Sequence, residues 1–180
     1  KWAEGPDWPV VQPGPSIKLP VRKVTQSNTE GYKVAVILPD MQIGYYRNAD
    51  GSLEPTHDEE ALSISMAIIK KLNPDRIIMV GDNLDFPEFG KYRLSPAYAI
   101  TTQASIDRAT TLCAELRAVA PNAVIDWISG NHEERLVNFI LDNAKVSFGL
   151  RRGNTPDSWP CLSVPYLCRF NDYGVNYVAG

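Results

Sequence analysis

The chain predicts an α/β fold built on a parallel sheet, and three features of its 180 residues point there. Apolar runs recur at "KVAVILPD" (33–40), "RIIMV" (76–80) and "AVIDWIS" (123–129), stretches of helical periodicity separate them, and each run ends in a polar cluster. Strands apolar at nearly every position, rather than at alternate ones, are expected where a parallel sheet is covered on both faces.

Residues 1–30 carry Pro6, Pro9, Pro13, Pro15 and Pro20 with little apolar periodicity, which predicts a Pro-rich linker or surface-hugging arm, pinned by Trp2 and Trp8. The domain proper is expected over 31–180. After the first strand, "MQIGYYRNADGSLEP" reads as a loop turning at Asp50-Gly51. Thr56 with Glu59 three residues on reads as a capping box opening a helix, whose stripe is Leu62, Met66, Ile69 and Leu72 and whose end is Asn73-Pro74. The second strand closes at Gly81-Asp82. Beyond the loop "NLDFPEFGKYRLSP" a long helix is expected over roughly 97–120, with Ile106, Ala109, Cys113, Leu116 and Ala120 at helical spacing and Pro121-Asn122 as its stop. The third strand is followed at Glu133 or Glu134 by a helix with Leu136, Phe139, Ile140 and Ala144 on one face. "CLSVPYLCRFNDYGVNYVAG" reads as two short β segments about a turn at Asn171 to Gly174.

Composition narrows the function classes. Eighteen Lys and Arg against 21 Asp and Glu give a formal charge of −3, and Lys70-Lys71 and Arg151-Arg152 are pairs rather than patches, so there is no basic footprint for nucleic acid. Cys113, Cys161 and Cys168 lack the short paired spacings of zinc or redox sites and are expected to be buried thiols in a reducing compartment. No apolar run approaches the roughly 18 residues of a membrane span and no signal peptide opens the chain, so a soluble, cytoplasmic protein without a membrane partner is expected.

The strand ends carry the chemistry. "PDMQ" offers Asp40 and Gln42, "GDNLD" offers Asp82 and Asp85, and "GNHEER" offers Asn131, His132 and Arg135. Singly, a Gly-Asp pair is more often a turn, and Asn131-His132 more often a helix cap with a packed imidazole. If the strands are parallel neighbours, however, right-handed crossovers put all three tips on one sheet edge, where open α/β sheets bind ligands. Carboxylates, a carboxamide and an imidazole converging there are oxygen-rich enough for a hard or borderline divalent metal.

The succession Asp40-x-Gln42, Gly81-Asp82-x-x-Asp85, Gly130-Asn131-His132-Glu133 at consecutive strand ends resembles the calcineurin-like metallophosphoesterases, and "LPDMQIGYYR" looks like a variant found among phage-encoded members. The resemblance covers about residues 33–180. It implies a four-layer α-β-β-α sandwich with two divalent metal ions at the strand tips. Asp40 would ligate the first, Asp82 would bridge both, Asn131 would ligate the second, and His132 would act as general acid. Two such ions held ~3.5–4 Å apart lower the pKa of a shared water, so that hydroxide attacks phosphorus in line. The substrate implied is a phosphoester, with a nucleotide or nucleic acid included, hydrolysed in the host cytoplasm if the protein is phage-encoded.

Three residues have two readings. Asp85 either orients His132, as the matching carboxylate does in the phosphoprotein phosphatase branch, or is a solvated loop aspartate. Arg135 either clamps a phosphate oxygen through its planar fork or faces solvent in the first helical turn. His57, the only other histidine, is expected to be a surface residue at a helix N-terminus rather than a ligand. The pattern also departs from the family. Gln42 stands where a histidine ligand is usual, a harder donor that shifts the expected metal to Mn²⁺ or Mg²⁺, with Fe²⁺ and Zn²⁺ as alternatives. After His132 no histidine follows, although the family draws further ligands from C-terminal histidine motifs. The chain therefore reads as the N-terminal two-thirds of a longer enzyme with its C-terminal part missing. The other readings are a nuclease acting on DNA or RNA, and a phosphoesterase-like binding or scaffold module that holds one metal weakly or none.

Overall fold

A computed structural model describes residues 31–151 and 159–179; the Pro-rich arm and Arg152 lie outside the described residues. The elements, in chain order, are β1 (Ala35–Pro39), β2 (Tyr45–Arg47), β3 (Leu53–Pro55), α1 (Glu59–Leu72), β4 (Arg76–Val80), α2 (Thr102–Val119), β5 (Val124–Ile128), α3 (Asn131–Asn143), α4 (Val164–Leu167), α5 (Phe170–Tyr173) and β6 (Val175–Val178). Strands β1, β4, β5 and β6 form one parallel sheet in that order, so the predicted α/β class and the three predicted strands hold.

Strands laid down in simple sequence and joined by right-handed crossovers bring their helices to the same face. Accordingly α1 packs on α2 and α2 on α5. Beneath them the inward residues Ile77, Met79, Ile125 and Trp127 are fully buried against Ile69, Leu112, Leu116 and Phe170, with the Trp127 and Phe170 rings 5.0 Å apart. The other face departs from the expectation of strands covered on both sides. Among the described residues Ile37 is 61%, Val124 46% and Val178 47% exposed there. The described elements thus form a sheet with its helices, and the expected four-layer arrangement is not completed by them. On that open face Asp126 of β5 accepts a hydrogen bond from Asn176 of β6 (3.0 Å) and pairs with Arg76 of β4. Burial alone would raise the Asp126 carboxyl, but the bonds from Arg76 and Asn176 outweigh it and hold it below the usual range.

Four local expectations are corrected. The loop after β1 contains a hairpin, β2 against β3, because Asn48 to Ser52 close a turn in which Asp50 accepts from the Ser52 N–H (2.9 Å). Helix α1 is capped by Asp58, whose carboxylate accepts the Ala61 N–H at 2.9 Å, whereas the Thr56 N–H goes back to the Gly44 carbonyl and is spent on the hairpin. Its Leu72 is half exposed, while Asn73 in the left-handed region ends the helix as expected. Helix α2 begins at Thr102 rather than near 97: Pro96–Tyr98 form a separate 3₁₀ turn, and Ile100 at φ +66° breaks continuity. The first of the two expected C-terminal β segments is helical, as α4 and α5. Ser163 caps α4 and Pro165 occupies its first turn, where a missing N–H costs nothing. The second segment is β6.

Of the cysteines, Cys113 and Cys168 are buried and Cys161 is half-buried. Burial pushes the Cys113 thiol up to about 12 and raises Cys168 as well, which suits packing rather than reactivity. No described helix is long and apolar enough to cross a membrane.

Candidate functional site

The register sets Pro39, Val80 and Ile128 level across β1, β4 and β5, so the three motif loops leave the sheet at one edge. Pairing between the first two continues past the strand ends. Gln42 N–H donates to the Asp82 carbonyl (2.9 Å), Ile43 N–H to Asn83 (2.8 Å), and Asp85 N–H to Ile43 (3.1 Å). Ile43 and Leu84, both fully buried, anchor this seam. Asp40, Gln42 and Asp82 have φ of +50°, +43° and +46°. Left-handed backbone at non-glycine residues is strained by about 1–3 kcal/mol each and clusters at functional sites, so its coincidence with three of the candidate ligands supports a site here.

The second seam joins the loops after β4 and β5. Asp82 Oδ1 accepts the His132 N–H at 3.0 Å. Glu133, buried, binds both loops at once: Oε1 accepts the N–H groups of Asn83 (2.8 Å) and Leu84 (3.1 Å), and Oε2 accepts that of Gly130 (2.8 Å). This is the functional residue that sequence reasoning passed over. By accepting the N–H of the N-cap residue Gly130, Glu133 also caps α3, which begins at Asn131 rather than at the expected Glu133 or Glu134. A side chain at Gly130 would collide with the Asp82 N and Oδ1 atoms, so only glycine permits this closeness.

His132 lies between the two carboxylates of "GDNLD". Its Nδ1 is 3.2 Å from Asp85 Oδ1 and its Nε2 is 3.9 Å from Asp82 Oδ2. The first approach is close but poorly aligned, leaving Nδ1 without a well-formed hydrogen bond. Arg135 is half-buried rather than facing solvent. Its Nη2 lies 2.6 Å from His132 Nε2, and its Nη1 donates to the Asp85 carbonyl at 2.9 Å. A guanidinium can only donate, so Nε2 is the acceptor here and the ring proton belongs on Nδ1, toward Asp85.

Asp40, Gln42 and Asn131 are exposed, and Gln42 Nε2 donates to Asp40 Oδ1 at 2.8 Å. With Asp82 they make an all-oxygen donor set that fits a hard divalent cation in kind, once the Gln42 amide turns its oxygen inward. Among the described residues no group of three or more His, Cys, Asp or Glu side chains could hold a metal, so the amides are essential to any such site. A cavity of about 420 Å³ opens beside Asp40 and Gln42, and another of about 660 Å³ beside Asn131 and Arg135.

His57 is not a surface residue. Its ring is buried, with Nδ1 3.0 Å from the Gly44 carbonyl, Nε2 2.8 Å from Glu59, and Tyr45 edge-on. Gly44 in turn packs against Asp85, so His57 supports the site from behind. The Arg108 guanidinium, hydrogen-bonded to Glu59 at 2.7 and 2.9 Å, holds that carboxyl down to about 2, with a smaller pull from His57.

The chain matches no protein-family model, no curated protein and no solved structure.

Proposed function

We propose that this chain carries the phosphoester-hydrolysing half-site of a metal-dependent hydrolase, a phosphatase or phosphodiesterase. The observation that carries the reading is the pairing of His132 with Asp85, beside Asp82, at the level ends of three adjacent parallel strands. Asp40, Gln42, Asp82 and Asn131 would hold divalent cations, Mn²⁺ first among them. Such ions supply a Lewis acid for the phosphoryl oxygens and an activated water at neutral pH.

The chain's own residues account for the rest. Asp85 faces Nδ1 and so turns Nε2 toward the substrate side, where His132, carrying a proton there, can pass it to the leaving oxygen. Arg135 Nη2 donates to that nitrogen at 2.6 Å. A phosphate oxygen is a stronger acceptor for a guanidinium than a neutral imidazole, so substrate draws Arg135 off His132, and the freed Nε2 takes up a proton from water, giving the imidazolium that then donates it to the leaving oxygen. Glu133 and Gly130 do no chemistry; they hold Asp82 and His132 at fixed separation.

The test is leaving-group dependence. With Mn²⁺ present, His132→Ala should slow hydrolysis of an alkyl phosphate about 10²–10⁴-fold and that of an aryl phosphate, whose leaving group needs no proton, far less. Equal losses on both would remove His132 as the acid. Metal analysis with Asp82→Asn as control separates the enzyme from a binding module, since a chain that holds no metal and cuts neither ester is left with the second reading alone.

A further inference from the structure

The larger cavity, about 660 Å³, begins at Asn131 and Arg135 and runs outward between α3 and the loop that follows "GDNLD". Its volume is that of a small-ligand site, well beyond what a phosphoryl group fills. Two of its lining residues, Asn131 and Arg135, belong to the candidate centre, so the cleft is continuous with it.

The lining has a definite character. Lys91 and Arg93 flank Tyr92 on the loop wall, all exposed, and Tyr92 is 91% exposed. The opposite wall offers the Asn138 carboxamide, one turn past Arg135 on the same helix. Phe89 and Phe139, with ring centroids 5.2 Å apart, close the floor and brace the loop against α3. Lys91, Arg93 and Arg135 give the cleft three positive charges against the two carboxylates of Glu134 and Asp142. An exposed aromatic side chain next in sequence to two cations, in a cleft that also carries the Asn138 amide, offers a stacking surface, phosphate contacts and a hydrogen-bonding group for a ring edge together.

We infer that this cleft seats the nucleoside part of a nucleoside phosphoester, its base stacked on Tyr92 and its phosphate directed at Arg135 and Asn131. The inference rests on the phosphoester reading for which bond is cut, but the binding it describes does not. A free nucleotide and the end of a single strand share this chemistry. An alkyl or sugar phosphate lacks the base and leaves Tyr92 without a partner.

The test is equilibrium binding by the full chain in chelator, so that metal and turnover play no part. The probes are a nucleoside 5′-monophosphate, a short oligothymidylate, ribose 5-phosphate and inorganic phosphate. The nucleotide is expected to bind at least about tenfold more tightly than ribose 5-phosphate. Tyr92→Ala should erase that margin while leaving ribose 5-phosphate unchanged, and Tyr92→Trp should keep it. An oligothymidylate that binds more tightly than the nucleotide, with a steep salt dependence lost in the Lys91→Ala, Arg93→Ala double variant, identifies a strand as the source; otherwise the source is the free nucleotide. Equal affinity for nucleotide and ribose 5-phosphate, or indifference to Tyr92→Ala, overturns the inference. Base-dependent binding in a chain that hydrolyses nothing would support the cleft and sink the hydrolase, whereas Mn²⁺-dependent cleavage of aryl phosphates without base-dependent binding would do the reverse.

Discussion

The two seams of the candidate site are built differently. Between β4 and β5, Asp82, Asn83 and Leu84 are tied to Gly130, His132 and Glu133 through side chain–backbone bonds of 2.8–3.1 Å around a buried carboxylate. Between the loops after β1 and β4 the bonds run backbone to backbone, and Asp40 and Gln42, the proposed metal ligands, are exposed and bonded to each other. The first seam is fixed by side-chain bonds around a buried carboxylate, whereas in the second the two exposed side chains bond only each other. On the proposed function, the side chains assigned to the acid are held more firmly than those assigned to the metal.

Gly130→Ala should break that contrast most severely. The added methyl meets Asp82 backbone, which cannot give way as a flexible side chain would, so a loss of about 3 kcal/mol in stability is expected together with collapse of phosphatase activity. Thermal melting and a Mn²⁺-dependent assay check both. Retention of the wild-type melting temperature would mean the loops are looser than the contact implies.

Glu133→Gln should come next, at about 2 kcal/mol. One amide face can still accept from Asn83 and Leu84, but the other turns N–H toward the Gly130 N–H. Denaturant unfolding measures it, and a kcat loss exceeding that of a surface control would show that the two loops drift apart.

Asp40→Asn is the complementary case in the open seam. Its stability without metal should stay within about 0.5 kcal/mol of the parent, while the rise in melting temperature produced by Mn²⁺ should shrink or vanish. A metal-free loss comparable to that of Glu133→Gln would erase the distinction between the seams.

The smallest effect concerns the support behind Asp85. The Glu59 carboxyl lies below its ordinary 4.5, at about 2, through its bond to Arg108. A depressed carboxylate stabilises the fold above its unfolded pKa and loses that contribution as pH falls toward its folded value. Glu59→Gln should therefore cost less than about 1 kcal/mol near pH 7, since Glu59 is partly solvated, with the cost shrinking below pH 4.5 and vanishing only well below pH 2. A difference that persists unchanged to pH 2 would assign the loss to packing instead of charge.

Much of this was legible in the residues alone. The apolar runs at 33–40, 76–80 and 123–129 each bury their inward side chains, a local property that periodicity reports directly. Once they are parallel neighbours, period and handedness bring Asp40, Asp82, Asp85, Asn131 and His132 to one edge, as the motif order implied. What only tertiary structure decided lies in partners remote along the chain. Glu133 reaches Asn83 across 50 residues and Arg108 reaches Glu59 across 49, and no local pattern encodes such pairs. The same holds for His57, drawn inward by the Gly44 carbonyl, and for Arg135, turned onto His132. It holds too for the sheet's two faces among the described residues: the strands are apolar on both sides, but α1, α2 and α5 pack together over one of them, as consecutive right-handed crossovers require.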